Sequence, residues 1–285
     1  MTPQLDRRTA LSALGTGALA AAVYSSARAD DRPATKGRIN QSVCKWCYSK
    51  LPLEKLAAEV KKIGYQSVEL LLPNEFPTVK AAGLTCAILG GASIPDGLNR
   101  KENHEKIEKH LREFIDFAAK EGIPNVICMS GNRRGMPDDV GLENCVIGLK
   151  RVVGYAEEKK VTLCMEGLNS KVDHKDYMYD KTAWGVELCK RVGSERFKLL
   201  YDIYHMQIME GDVIRTIKQD HQYIGHYHTG GNPGRHEIDE TQELHYPAIA
   251  KAIADTGFKG FLSQEFIPVR DTVASLTQAF KICDA

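Results

Sequence analysis

Four ionisable residues close four short apolar runs in the second half of a 285-residue chain. Glu166 ends Thr-Leu-Cys-Met-Glu, Asp202 ends Lys-Leu-Leu-Tyr-Asp, His228 ends Tyr-Ile-Gly-His-Tyr-His, and Glu265 ends Phe-Leu-Ser-Gln-Glu. Burying any one of them unpaired costs on the order of several kcal/mol. Singly, each fits a structural role as the partner of a helix cap. Four in succession predict a shared site. Three carboxylates drawn together without a cation repel one another, and a bound divalent ion is the economical resolution. Carboxylate oxygens with one imidazole suit Mn²⁺ or Mg²⁺, and Co²⁺ or Zn²⁺ fall within the range of the same donors.

Side chains alternate along a strand, so His226 faces the same way as His228, one layer lower. His228 is therefore the expected ligand and His226 its support. His205, three residues after Asp202, is expected on the following loop, touching substrate or hydrogen-bonding to the site. Trp46, near the first strand end, either walls the pocket or packs on its own loop. Lys45, Arg133, Arg134 and Arg235 are the basic residues placed to meet a carboxylate or a sugar hydroxyl, with solvation as their alternative. His221 and His245 fit no pattern and are expected at the surface.

Such a constellation needs strands that end together. Apolar runs at residues 39–44, 67–72, 84–89, 125–130, 161–166, 197–202, 223–228 and 260–265 alternate with helical patterns. The helices are expected at 53–63, 78–82, 102–121, 141–159, 181–192, 212–219, 246–255 and 273–282, and several are followed by the glycine that caps a helix end. Near-continuous apolar strands suit a parallel sheet covered on both faces. Eight such units predict a single-domain α/β protein, a (β/α)8 TIM barrel spanning residues 38–285, with its site at the carboxyl ends of the strands. A doubly wound open sheet would call for a glycine-rich phosphate loop after the first strand. Cys44-Lys45-Trp46-Cys47-Tyr48-Ser49 contains no glycine.

Composition narrows the function. The chain holds 38 basic and 37 acidic residues for a net charge of +1, which supplies no nucleic-acid footprint. A small molecule is the expected partner, and a homodimer is left open as the assembly. Of the eight cysteines, Cys86, Cys128 and Cys164 lie in strand-like runs as small core residues. Cys44 and Cys47 form a close pair that could oxidise outside the cytoplasm, with no second pair to complete a zinc site.

Several segments resemble the hydroxypyruvate isomerase family. They are Met165-Glu166-Gly167-Leu168-Asn169, Tyr201-Asp202-Ile203-Tyr204-His205-Met206-Gln207 with Glu210-Gly211, Ile224-Gly225-His226, Asn232-Pro233-Gly234-Arg235, and Gln264-Glu265. That family belongs to the xylose isomerase-like barrels, with ketose 3-epimerases as relatives. The resemblance implies a metal held by Glu166, Asp202, His228 and Glu265, with the two glutamates, Glu166 and Glu265, also acting in catalysis. Bacterial hydroxypyruvate isomerases carry Gln where this chain has His228, as the epimerase branch does not. It implies proton transfer through an enediolate, each glutamate with one oxygen on the metal and one free. His205, Arg235 and Trp46 would contact a small hydroxycarbonyl or sugar substrate, with ketose or keto-sugar epimerisation as the runner-up activity. Endonuclease IV-type repair enzymes share Asp-x-x-His (Asp202, His205) and an Arg-His pair (Arg235, His236), but here Gly234 precedes the pair where they carry Asp. A non-catalytic, secreted carbohydrate-binding barrel is the alternative of another class.

The first 29 residues read separately from this fold. Arg7-Arg8, a weakly apolar stretch from Ala10 to Val23 and the exit Ala27-Arg28-Ala29 form a secretory signal of twin-arginine type. That stretch falls short of the ~20 residues a membrane span needs, so export to the periplasm or beyond, without stable membrane insertion, is expected. Replacing Arg7 and Arg8 by Lys should hold the precursor inside the cell, as read by cell fractionation. Normal export of that variant would refute the assignment.

Overall fold

The computed structural model describes residues 36–285, so the expected signal lies outside the described residues. Amphipathic spacing builds the helices. In α1 (Leu53–Ile63), Leu56, Ala57 and Val60 share the buried face, and Gly64 accepts the turn that ends it. In α3 (His104–Glu121), Leu111, Ile115 and Ala118 do the same, and Gly122 closes the helix at φ 71° with its N–H on the Ala118 carbonyl. The other helices are α2 (Phe76–Ala81), α4 (Asp138–Lys150), α5 (Val153–Lys159), α6 (Thr182–Val192), α7 (Ile203–Met209), α8 (Val213–Asp220), α9 (Tyr246–Asp255) and α10 (Thr272–Ile282).

Between them run β1 (Asn40–Cys44), β2 (Ser67–Glu69), β3 (Ile88–Leu89), β4 (Asn125–Cys128), β5 (Thr162–Glu166), β6 (Phe197–Asp202), β7 (Ile224–Thr229) and β8 (Phe261–Gln264). All pairings are parallel, in the order β2-β1-β8-β7-β6-β5-β4-β3. The seam between β2 and β3 is closed by parallel bridges from Ser67 to Thr85 and Leu71 to Leu89. The Leu70 N–H also reaches the Ile88 carbonyl at 2.9 Å. This is the (β/α)8 barrel expected from the sequence. Among the described residues no helix is long and apolar enough to cross a membrane.

Three departures bear on the site. The expected helix over 141–159 is two helices, because the backbone leaves helical geometry at Val152 (φ −125°, ψ −22°) between them. The third strand is shorter than 84–89, since the Ala87 N–H goes to the Ser67 hydroxyl at 2.8 Å and not to a strand partner. The second stops at Glu69, where Leu70 takes a left-handed backbone (φ 56°).

Register decides what points into the mouth. Between β6 and β7 the pairing shifts, Leu199 opposite Ile224 but Leu200 opposite His226, with Gly225 as the extra residue. The shift sets Asp202 directly opposite His228. Bulges of this kind re-aim side chains beside active sites.

The loops over the mouth are pinned by a close backbone approach. A Cβ on Gly97 would lie 2.2 Å from the Gly131 nitrogen and 2.3 Å from the Ser130 carbonyl carbon. Gly97→Ala should therefore destabilise the chain by about 1–3 kcal/mol, the usual range for overpacking. Denaturant unfolding checks this, and an unchanged midpoint would contradict it.

Candidate active site

Each strand end delivers its acid or base to one buried cluster. Glu166 comes from β5, Asp202 from β6, His228 from β7 and Glu265 from just past β8, and one ligating atom of each lies within 4.8 Å of the others. His228 sits at the centre. Its Nδ1 is 2.7 Å from Glu265 Oε2, 3.2 Å from Glu166 Oε1 and 4.0 Å from Asp202 Oδ2. Four oxygen and nitrogen donors at this spacing, three of them anionic, fit a divalent cation.

Arg235 supplies positive charge to the same cluster. Its guanidinium donates to Glu265 Oε2 at 2.6 Å and to Asp202 Oδ2 at 3.1 Å. The group is clasped between the rings of Trp46 and Tyr204, 5.2 and 5.1 Å from their centroids. Burial raises the Asp202 carboxyl well above its usual range, and nearby Glu265 and Glu166 add to that against the pull of Arg235. Burial also opposes ionisation of Glu265, but there Arg235 and His228 outweigh it and the carboxyl titrates well below its usual range. Two adjacent acids are thus driven apart in proton affinity.

The two glutamates are held unequally. Glu265 Oε1 accepts the Trp46 indole N–H at 2.7 Å, while its Oε2 faces Arg235 and His228. The free oxygen expected on Glu265 is therefore taken, because Trp46 turns inward on the Lys45–Tyr48 turn. Glu166 receives only the longer contact from His228.

His205 lies on α7, a short helix, and not on a loop. Asp202 both ends β6 and caps α7, its side chain accepting the His205 N–H at 3.0 Å. The Asn169 carbonyl accepts the Val172 and Asp173 N–H groups, so its amide N–H faces His205 Nδ1 at 2.6 Å. On the other side of the ring, Nε2 lies 3.1 Å from Arg235 Nη1 and 3.7 Å from Asp202 Oδ2. Burial and the neighbouring Arg235 push the His205 pKa well down, so the ring is neutral.

The cluster opens on a cavity of about 390 Å³, lined by Trp46, Ile94, Glu166, His174, Arg235 and Glu265 among others. His174, which sequence reasoning missed, packs edge-on against His205 at 5.4 Å. The other basic candidates are engaged elsewhere: Lys45 pairs with Glu75, Arg133 with Asp138 and Asp180, and Arg134 with Asp96. His221 and His245 are exposed as expected. All eight cysteines, Cys44 and Cys47 included, are free and buried.

The largest omission is Glu69. It is fully buried, and its Oε1 lies 2.8 Å from His226 Nε2 and 2.9 Å from His228 Nε2. The signal was present, since Glu69 also closes an apolar run. Reading that run through to Leu72 hid it mid-strand.

A parallel (β/α)8 barrel with an acid-rich mouth is the class that these features define. The chain belongs to the xylose isomerase-like TIM barrel family, whose model matches residues 57–281. It is 29% identical over 240 residues to the 2-oxo-tetronate isomerase of Cupriavidus necator, covering 79% of this chain and 90% of that protein. It is also 29% identical over 173 residues to the hydroxypyruvate isomerase of Escherichia coli, covering 60% and 66% respectively. Among solved structures it resembles an AP endonuclease, family 2, from Brucella melitensis, with TM-score 0.76, 21% identity and coverage of 85% and 99%. It also resembles a 3-keto-D-glucoside 4-epimerase from Escherichia coli, with TM-score 0.72, 18% identity and coverage of 86% and 97%. At those identities the structural likeness is one of fold.

Arg235→Gln should leave Asp202 and Glu265 buried without their guanidinium. Removing one partner of a buried charge pair costs about 3–5 kcal/mol at neutral pH. With burial and repulsion from Glu265 and Glu166 no longer opposed by the guanidinium, the Asp202 carboxyl, already raised, would titrate further above its unfolded value of about 4. The variant's stability should then be fully present below that pH and fall as the pH rises towards neutrality. Denaturant titrations of chelator-treated protein at acidic and neutral pH check this; an equal loss at both would contradict it.

Proposed function

We propose that the protein is a metal-dependent isomerase acting on a small hydroxycarbonyl acid or sugar of the hydroxypyruvate or 2-oxo-tetronate kind. The reading rests on one observation: Glu166 and Glu265 meet the same His228 nitrogen and border the same cavity. The activities named for the curated relatives support it. Glu166, Asp202, His228 and Glu265 would hold one divalent ion, Mn²⁺ or Mg²⁺ by the hardness of the donors. When bound, such an ion supplies Lewis acidity that makes a hydrogen beside a carbonyl easier to remove.

The chain's own residues divide the remaining work. Glu265, clamped by Trp46, Arg235 and His228, is a weak base, whereas Glu166 has one long contact and is the better acceptor for a carbon-bound proton. Glu166 takes that proton. Returning it from Glu166 to the neighbouring carbon, while the hydroxyl proton passes to the former carbonyl oxygen, gives aldose-ketose isomerisation. Arg235 offers donors to the substrate's oxygens, and His205 and Trp46 border the same cavity.

The second reading, epimerisation of a ketose or keto sugar, is favoured by the approach of both glutamates to one centre, because delivery from Glu265 at the opposite face would invert the carbon. We place the working enzyme outside the cytoplasm on the strength of the N-terminal arginine pair.

Turnover in D₂O by the Mn²⁺-loaded protein, screened over hydroxypyruvate, 2-oxo-tetronate, pentuloses, hexuloses and 3-keto sugars, tests the reading. Solvent deuterium should enter product carbon, and Glu166→Gln should slow turnover by about 10²–10⁴-fold. Complete retention of the substrate hydrogen, or no turnover of any of these, would overturn the proton-transfer proposal.

A further inference from the structure

We infer that Glu69 is a positioning residue: it fixes His228 in the tautomer that presents Nδ1 to the acidic cluster. The inference rests on the proposed metal site. Glu69 ends β2 and reaches across the barrel to β7. One oxygen, Oε1, lies within hydrogen-bond distance of two imidazole nitrogens, His226 Nε2 and His228 Nε2, and 3.6 Å from the Cys44 thiol. A carboxylate only accepts, so both rings must carry their proton on Nε2. The opposite nitrogen of His228 then faces Glu166, Asp202 and Glu265. Were His228 protonated on Nδ1 alone, its one lone pair would point away from the cluster, at another lone pair on Glu69.

The surroundings give the carboxylate little freedom. Glu69, His226 and His228 are all fully buried. Leu70 turns left-handed immediately after Glu69, so the strand stops where that side chain enters the barrel. Carboxylates placed behind a ligating imidazole orient the ring and raise its basicity, and their loss lowers metal affinity by about 10–100-fold.

Mn²⁺ titration of the purified, chelator-stripped protein reads the effect. Glu69→Leu should weaken Mn²⁺ binding about 10–100-fold, and Glu69→Gln, whose amide oxygen still accepts from Nε2–H, should restore most of that loss. Should the Leu variant fail to fold, the Gln variant and the wild type still decide. In ¹⁵N-labelled wild type loaded with Mg²⁺, the His228 ring should carry its proton on Nε2, assigned by the signal lost in His228→Gln. A His228 proton on Nδ1, a folded Leu variant with unchanged Mn²⁺ affinity, or a Gln variant as weak as Leu would overturn the inference while leaving the metal site standing. Two ions per chain would overturn it too, since the second would replace the proton between His228 and Glu69. A wild type that binds no ion would overturn both readings together.

Discussion

Burying three carboxylates within contact of one imidazole is unfavourable unless positive charge enters with them, and much of the mouth is arranged around that requirement. In the protein alone the charge comes from His228 and Arg235. Burial works against a charge on the His228 ring, but Cys44 and the Glu265 and Glu166 carboxylates outweigh it and raise its pKa well above the usual range. Arg235, nine-tenths buried, is held between two aromatic faces while it spans Asp202 and Glu265. An entering divalent ion would take over part of that charge balance. A metal that bound there would compete with a proton on His228 and with the guanidinium.

This balance depends on strand register to within one residue. Because side chains alternate, a slip of one position would turn a strand's inward set to the helix layer. The shift at Gly225 is what brings His228 opposite Asp202 and His226 opposite Leu200. A Cβ at Gly225 would stand 2.9 Å from the Cβ of Lys198 on the neighbouring strand, so the bulge favours the one residue without a side chain. Glu69, three strands away round the barrel with β8 and β1 between, then meets both histidines at one oxygen. Neither bulge nor cross-barrel contact involves neighbours in sequence.

That distinction explains what the sequence made legible. Strand ends at Glu166 and Asp202, the helices over 53–63 and 246–255 and the barrel itself follow from local periodicity and capping glycines, and each agrees with the structure. The four-residue cluster was legible because its members repeat one signature, an ionisable group after apolar residues. Glu69 carries the same signature but is followed by Leu70-Leu71-Leu72, and apolarity alone cannot reveal a left-handed residue that ends the strand. Helix α7 was hidden for a related reason: Asp202 serves two elements at once, and a residue already spent as a strand end was not weighed as a cap. The clamp of Trp46 on Glu265 joins residues 219 apart in sequence, and no spacing rule reaches that far.

The backbone at the mouth carries the mark of these demands. Non-glycine residues with positive φ are uncommon and cost of order 1 kcal/mol or more. Two of them stand at the site, Leu70 directly after Glu69 and Arg235 itself at φ 58°. Glycine would relieve the strain at 235 but would remove the guanidinium that neutralises Asp202 and Glu265. The chain instead fixes the loop from both sides, the Arg235 N–H on the Gly231 carbonyl at 2.8 Å and the Ile267 N–H on the Arg235 carbonyl at 2.7 Å. The first bond closes the loop after β7 on itself, and the second ties it to the segment after β8. Arg235 and Glu265 thus belong to one braced unit, and a movement that releases the guanidinium from Asp202 must also loosen its hold on Glu265.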